Sequence, residues 1–198
     1  LEPQTAVIEL AFILNAHHGL RLVDRFDADV SVELHTDLAN DVDATLHYAR
    51  RYHNICPERF IVKVPLTPAG IIATRTLRDE GVRINMTLGF SARQNAVAAI
   101  FCRPDYLNVF LGRLNAYVQD NGLGNGEFVG EKATLASHRT VRDINARAGR
   151  PSQVRQIAAS MRSADQVPAL AGVDVHTIPL AVALSVLESP PKEWSNNV

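Results

Sequence analysis

Short apolar runs alternate with amphipathic stretches along the whole chain. Each run has the length of a β-strand, and the runs lie near residues 30–34, 60–64, 82–88, 106–110, 156–159 and 173–178. Strands that alternate with helices are typical of parallel β/α units. The pattern therefore predicts an α/β fold with a parallel sheet, forming a single domain over residues 1–198.

Start and stop signals support the helices between these strands. Thr67 is a good N-cap, Pro68 suits the first helical position, and Gly81 can end that helix. Ser91 and Gln94, three residues apart, form a capping box. Further helices are predicted over residues 5–15, 129–148 and 163–172 and after residue 179.

The number of strands is too small for a closed barrel. A TIM-type (β/α)8 barrel has eight strands in about 250 residues. The first segment, near residues 3–25, has the pattern of a helix that follows an earlier strand. We therefore expect a TIM (β/α)8 barrel whose first two β/α units are missing from this chain and precede Leu1.

One charged residue interrupts a strand that should be covered on both faces. Lys63 stands between Val62 and Val64. Loss of hydration favours the neutral, nucleophilic form of an amine, so Lys63 is a candidate Schiff-base nucleophile. The alternative is a lysine that extends to solvent or pairs with a carboxylate at a strand end.

Polar residues on the neighbouring strands strengthen the case for a site. An alternation with a period of two puts Asn85 and Thr87 on one face of their strand, and Ser31 and Glu33 alternate with valines in the same way. Glu33 could move protons through a water molecule during carbinolamine dehydration. Its alternative role is a structural salt bridge with Lys63, which would also place the two side chains together.

Two arginines follow later strands. Arg113 lies three residues after Phe110, and Arg162 follows the strand near residues 156–159. Ligands bind at the C-terminal face of barrels of this type, and two guanidinium groups there suit a phosphate dianion. A surface ion pair is the alternative for each arginine.

Composition narrows the classes of partner. The formal net charge is −1, which provides no general attraction to nucleic acid or to an anionic membrane. The chain start lacks the layout of a secretory signal, so a cytoplasmic location and no membrane partner are expected. Two isolated cysteines, Cys56 and Cys102, and histidines without zinc-like spacing predict no metal site.

Several segments of the chain resemble those of a known family, the transaldolases. The resemblance rests on IVKVPLTPAG at residues 61–70, EGVRINMTLGFS at 80–91, FLGR at 110–113, ASMR at 159–162, AGVD at 171–174 and TIP at 177–179. These segments keep the family's order, and the resemblance covers about residues 29–187. It implies a class I mechanism, in which a lysine forms a Schiff base with a ketose and the C3–C4 bond breaks.

The resemblance also implies roles for individual residues of the first strands. Lys63 would be the nucleophile, Glu33 and Thr87 would hold the catalytic water, and Asn85 would bind a substrate hydroxyl. It implies no metal or organic cofactor, because the protonated imine itself accepts the electrons. A dihydroxyacetone unit would then pass between sugar phosphates.

For the later strands the resemblance implies binding of a phosphorylated sugar. Arg113 and Arg162 would hold the phosphate, with Ser160 beside them in the substrate site. The family usually has a serine where this chain has Asn108, so the substrate at that end is expected to differ. A homo-oligomer is left open.

Two other functions stay open. The first is an aldolase that releases dihydroxyacetone; Glu33 favours transfer, because the aldolase branch of the family generally has glutamine there. The second is a non-catalytic barrel that binds sugar phosphate. The family's general acid/base aspartate lies on the first strand, which is expected upstream of Leu1, and a fragment without it is expected to be inactive.

Overall fold

Strands and helices alternate from the start of the chain to its end. A computed structural model describes residues 3–149, 153–191 and 194–198. The strands of these residues are β1 (Val30–Glu33), β2 (Phe60–Pro65), β3 (Ile84–Thr87), β4 (Tyr106–Phe110), β5 (Arg155–Ala159) and β6 (Val175–His176). The helices are α1 (Pro3–Phe26), α2 (Val42–Ile55), α3 (Pro68–Asp79), α4 (Ala92–Phe101), α5 (Leu111–Asp120), α6 (Val129–Ala148), α7 (Gln166–Ala169) and α8 (Leu180–Glu188). The predicted α/β class is confirmed, with the successive β/α units of a partial TIM barrel.

The chain forms two compact units. The first unit contains Leu1–Thr87 and Phe101–Asp105, and its strands β1, β2 and β3 are parallel and follow one another in chain order. The register places Glu33 beside Lys63 and Lys63 beside Asn85. The C-terminal ends of the three strands therefore lie at the same edge of this sheet.

The first unit has an apolar core between its sheet and its helices. Residues from β2 and β3, including Phe60, Val62 and Ile84, are completely buried. Helix α1 approaches the sheet through Gly19, where an added Cβ would lie 2.9 Å from the Phe60 ring. A larger residue here would force the Phe60 ring or the helix to shift.

The second unit contains Leu88–Ile100 and Tyr106–Val198. Its strands β4, β5 and β6 are also parallel and in chain order. One core cluster of this unit contains Leu111, Ala158, Met161, Val167, Leu170, Val173 and Val182. Leu111 and Met161 belong to the segments that follow β4 and β5, where the sequence predicts binding residues.

Several predicted helix signals are confirmed. The Thr67 hydroxyl accepts a hydrogen bond from the Gly70 amide at 2.9 Å, and Pro68 begins α3. In the capping box the main-chain N–H of Gln94 donates to the Ser91 hydroxyl at 3.3 Å. Helix α6 has the predicted bounds and ends at Gly149, whose φ of +56° suits glycine.

Other elements differ in length from the prediction. Strand β3 ends before Leu88, because the φ of +68° at that residue leaves the extended conformation. Helix α1 continues well past residue 15 to Phe26. Only Gln166–Ala169 is helical in the predicted 163–172 segment; Pro168 suits the first turn of this short helix and is disfavoured in the interior of a longer one. Strand β6 is limited to Val175–His176.

Two expectations on organisation stay predictions. The single domain is one of them. The absence of a membrane partner is the other, because α1, with 24 residues, is long and apolar enough to cross a bilayer by length and composition alone. Core helices and N-terminal signal sequences meet the same criterion, so this is weak evidence.

Candidate active site

In the first unit, the predicted catalytic lysine and glutamate lie next to each other. The Lys63 Nζ atom is 3.3 Å from the Glu33 Oε1 atom, and the two side chains are 22% and 59% exposed. The parallel register of β1 and β2 produces this contact, since it pairs these two residues directly. The expected proximity is therefore confirmed, while their chemical roles stay predictions.

The polar residues of β3 complete this group. Asn85 is buried, and its Nδ2 atom donates to the Ser31 hydroxyl at 3.2 Å, which fixes the orientation of the amide. Thr87 is only 3% exposed, and its hydroxyl has no hydrogen-bond partner among the described residues. Buried polar groups in native proteins are almost always satisfied, so this hydroxyl is suited to bind a water molecule or a ligand.

A tyrosine that the sequence did not reveal supports β1. Tyr52 of α2 is buried, and its hydroxyl donates to the main-chain oxygen of Glu33 at 3.3 Å. Desolvation by burial raises the pKa of Tyr52 to about 12, so the phenol keeps its proton at neutral pH. The tyrosine fixes the backbone at the residue that carries the carboxylate. In the sequence it resembles any aromatic residue on the buried face of a helix.

In the second unit, the segments that carry the two predicted phosphate-binding arginines meet at Gly112. The Gly112 amide donates to the Ser160 main-chain oxygen at 3.2 Å. An added Cβ at Gly112 would lie 2.2 Å from that oxygen and 2.9 Å from the Arg162 Cγ atom. A residue with no side chain is therefore required beside Arg113, and the close approach brings the loop after β5 to the start of α5.

Both arginines are accessible to a ligand. The Arg113 guanidinium lies 4.7 Å from the centre of the Phe110 ring, and both Arg113 and Arg162 are exposed. In the part of the chain that the structure describes, neither arginine forms a salt bridge. The alternative of a surface ion pair is therefore not supported there. Their role in phosphate binding stays a prediction.

The strand that carries Asn108 is held by a buried amide network. Asn108 is buried in β4, and its main-chain oxygen accepts from the Asn95 Nδ2 atom at 3.3 Å. The same amide nitrogen donates to the Ser137 hydroxyl at 2.8 Å and lies 3.3 Å from the Gln156 Oε1 atom. The network joins α4, α6, β4 and β5. None of these contacts is visible in the sequence, because the partners lie far apart in the chain.

Metal-binding residue types do not cluster in the described ranges of the chain. Among the described residues, no group of three or more histidine, cysteine, aspartate or glutamate side chains is placed to hold a metal ion. Cys102 is buried, and desolvation raises the pKa of its thiol to about 12, which makes it a poor nucleophile. The polar groups of the candidate site in the first unit are the Lys63 amine, the Glu33 carboxylate, the Asn85 amide and the Thr87 hydroxyl.

Comparison with known proteins connects this geometry to one family. A family model described as Transaldolase/Fructose-6-phosphate aldolase matches residues 2–196. A probable transaldolase of Exiguobacterium sibiricum is 36% identical over 176 residues, which cover 88% of this chain and 74% of the relative. A probable transaldolase of Thermus thermophilus is 34% identical over 187 residues, 93% of this chain and 74% of the relative. A transaldolase of Xanthomonas euvesicatoria is 32% identical over 184 residues, 89% of this chain but only 56% of the relative.

Proposed function

The chain belongs to the transaldolase/fructose-6-phosphate aldolase family, and from that membership we propose that it transfers a dihydroxyacetone unit between sugar phosphates through a Schiff base on Lys63. The membership supports a transferase of transaldolase type. The Lys63–Glu33 contact at 3.3 Å carries the finer proposal, because it joins a nucleophilic amine to a proton-transfer group.

The first stage is formation of the imine. The Lys63 amine adds to the C2 carbonyl of a ketose phosphate, and the carbinolamine loses its hydroxyl as water to give a protonated imine. Glu33 lies close enough to Nζ to exchange protons with this nitrogen, directly or through one water molecule. No metal or organic cofactor is part of the proposal, because the iminium accepts the electrons of the next step.

The second stage breaks and remakes a carbon–carbon bond. The proton of the C4 hydroxyl is removed by the base that the resemblance assigns to the family's general acid/base aspartate, the C3–C4 electron pair moves into the iminium, and an aldose phosphate leaves. The enamine that stays on Lys63 attacks the carbonyl carbon of an acceptor aldehyde, whose oxygen takes up a proton. Water then hydrolyses the new imine, which releases the product ketose and returns the free amine.

The β3 residues have supporting roles in this proposal. Thr87 has a buried hydroxyl without a partner among the described residues, and we assign to it and Glu33 the water of the dehydration and hydrolysis steps. Asn85, oriented by Ser31, is assigned a hydrogen bond to a substrate hydroxyl. Removal of either side chain should therefore slow the steps on the imine more than it weakens binding of the phosphate.

The second unit is assigned the phosphate end of the substrate. Arg113 and Arg162 supply the positive charge and the donors that a phosphate dianion requires, and Ser160 lies two residues before Arg162 in the sequence. Asn108 takes the place of the family's usual serine. We propose that this change alters which phosphorylated sugar is preferred, because an amide and a hydroxyl present different donors and acceptors.

Chemical trapping tests the Schiff base directly. The protein is treated with fructose 6-phosphate and borohydride, and the reduced adduct is located by peptide mass analysis. We expect the adduct on Lys63 and none in a Lys63→Arg variant. The sequence has three lysines, and a Lys132→Arg variant, which changes an exposed lysine by the same substitution, should keep the adduct. Absence of an adduct on Lys63 in the parent protein would show that the Schiff-base mechanism is wrong.

Dependence on an acceptor separates transfer from simple aldol cleavage. A transferase holds the dihydroxyacetone unit on Lys63 until an aldehyde arrives, so steady product formation should require an acceptor such as erythrose 4-phosphate. Full-rate release of free dihydroxyacetone without any acceptor would favour the aldolase. A protein that binds sugar phosphate but neither forms an adduct nor turns over would be the non-catalytic barrel.

A further inference from the structure

A buried carboxylate in the second unit has two neutral partners. Glu131, in the first turn of α6, is only 6% exposed. Its Oε2 atom accepts from the Asn115 Nδ2 atom at 3.0 Å, and its Oε1 atom accepts from the Gln166 Nε2 atom at 2.7 Å. Burial of a carboxylate is unfavourable. Because both partners of Glu131 are neutral amides, a neutral glutamine would be expected at this position unless the hydrogen bonds require a carboxylate.

The reason lies in how both amides are oriented. The Asn115 Oδ1 atom accepts from the Gly130 main-chain amide at 2.6 Å. The Gln166 Oε1 atom accepts from the main-chain amides of Arg162 at 2.7 Å and Ser163 at 3.3 Å. A main-chain amide can only donate, so each side-chain amide must turn its oxygen to the backbone and its NH2 group to residue 131. Only a group that accepts at both atoms, a carboxylate, satisfies the pair.

The two amides hold the segments that carry the proposed phosphate-binding arginines. Asn115 lies two residues after Arg113 on α5, and Gln166 binds the main chain of Arg162 itself. The start of α6 also packs directly on α5, since an added Cβ at Gly130 would lie 2.2 Å from the Leu111 main-chain oxygen. One side chain therefore connects both arginine segments.

We infer that Glu131 is a positioning residue for phosphate binding, which acts through Asn115 on the Arg113 segment and through Gln166 on the Arg162 segment. This inference rests on the proposed function, in which those two arginines bind the phosphate of the substrate. The network fixes the backbone from which both guanidinium groups extend. It therefore affects ligands that carry a phosphate and leaves the affinity for an unphosphorylated ligand unchanged.

A Glu131→Gln substitution tests this inference at constant side-chain volume. It replaces one accepting oxygen by an NH2 group, so that two donors face each other on one side of the network. We expect affinity for fructose 6-phosphate and for inorganic phosphate, measured by titration calorimetry, to fall about tenfold, as expected for one buried hydrogen bond replaced by an unsatisfied pair. Trapping of unphosphorylated dihydroxyacetone on Lys63 should stay at the parent rate.

A matched control and a reversed pair complete the test. Glu80→Gln removes a carboxylate that also accepts two hydrogen bonds, from Arg50, but it lies in the first unit and should leave phosphate affinity unchanged. Gln166→Glu alone should weaken phosphate binding, because two carboxylates then face each other. A double variant that combines Glu131→Gln with Gln166→Glu restores every donor–acceptor match, because the new carboxylate accepts both from the Arg162 main chain and from the new amide. This variant should recover most of the lost affinity.

The outcomes separate this inference from the proposed function. Parent-like phosphate affinity in Glu131→Gln, or equal losses for phosphorylated and unphosphorylated ligands, would overturn the positioning role. If that variant does not fold, Gln166→Leu tests the same connection from a half-buried position, and unchanged phosphate affinity there would overturn it equally. A parent protein that binds phosphate but forms no adduct on Lys63 would instead refute the Schiff-base mechanism and leave this inference standing.

Discussion

The buried amide of Asn95 offers a sharp test of how β4 is held in place. Asn95 is completely buried, and its Nδ2 atom contacts acceptors on Asn108, Ser137 and Gln156. Asn95→Ala removes all three contacts at once. It also removes the side chain that packs against Gly89, where an added Cβ would lie 2.4 Å from the Asn95 Oδ1 atom.

The expected loss follows from what each acceptor retains. Gln156 keeps its hydrogen bond from the Ser137 hydroxyl at 2.6 Å, so it stays satisfied. The Ser137 oxygen and the Asn108 main-chain oxygen each lose a buried donor, and the loss of one such hydrogen bond costs about 0.5–1.5 kcal/mol. The contact to Asn108, at 3.3 Å, is the weaker of the two. We therefore expect the free energy of unfolding to fall by about 1–3 kcal/mol.

Urea unfolding followed by circular dichroism measures this change. The matched control is Asn15→Ala, which removes an exposed amide that donates to the Ala11 main-chain oxygen at 3.0 Å within a helix. That control should change the free energy of unfolding by less than about 0.5 kcal/mol. If the free energy of unfolding of Asn95→Ala lies within about 0.5 kcal/mol of the parent value, the network does not hold β4 in the way described.

Three further changes have expected outcomes. Burial lowers the pKa of His138 below its ordinary 6.5, so the unfolded chain binds more protons than the folded protein near that pH. The free energy of unfolding should therefore fall as the pH drops through 6.5. A His138→Phe variant should lose this pH dependence when the free energy is measured by urea titration. Hydrogen bonds from Arg51 and Tyr48 lower the pKa of Glu9 from 4.5 to about 2. The stabilising contribution of Glu9 is therefore complete above pH 4.5 and is lost as the pH falls through about 2. Glu9→Gln should reduce the free energy of unfolding at neutral pH but not near pH 2, as measured by urea titration. Gly112→Ala should cost about 1–3 kcal/mol by overpacking and weaken binding of inorganic phosphate, and parent-like values for either would contradict the close approach.

The Lys63, Glu33 and Asn85 group of the first unit could be predicted from the sequence, because polar residues are unusual in strands that are covered on both faces. Lys63 stands out between two valines, and the period of two selects Glu33 and Asn85 on the neighbouring strands. Parallel strands in chain order then bring these residues into register. The prediction needed only the strand positions and the rule that C-terminal strand ends meet at one edge of a sheet.

The ends of strands and helices were harder to predict, because they depend on backbone conformations that the residue types determine only in part. Leu88 and Ser160 both have positive φ values, of 68° and 65°, although neither is a glycine. Such conformations are held by tertiary packing rather than by local preference. Both residues directly follow a strand, so the sequence could locate β3 and β5 but could not show how the chain turns away from them.

The contacts of Glu131 show why helix residues are harder to interpret than strand residues. Glu131 is followed by Lys132, and a glutamate–lysine pair at the start of a helix usually indicates a solvated surface. The buried face of α6 nevertheless contains Glu131, Thr134, Ser137 and His138 together with Val141, so hydrophobic periodicity alone does not identify the whole buried face. The local signal is Gly130, because a glycine in the first turn of a helix indicates close contact with another backbone. Small residues at helical spacing beside a single carboxylate thus indicate a buried hydrogen-bond acceptor. In this chain that acceptor connects the segments of Arg113 and Arg162, a link that the pattern of strands does not predict.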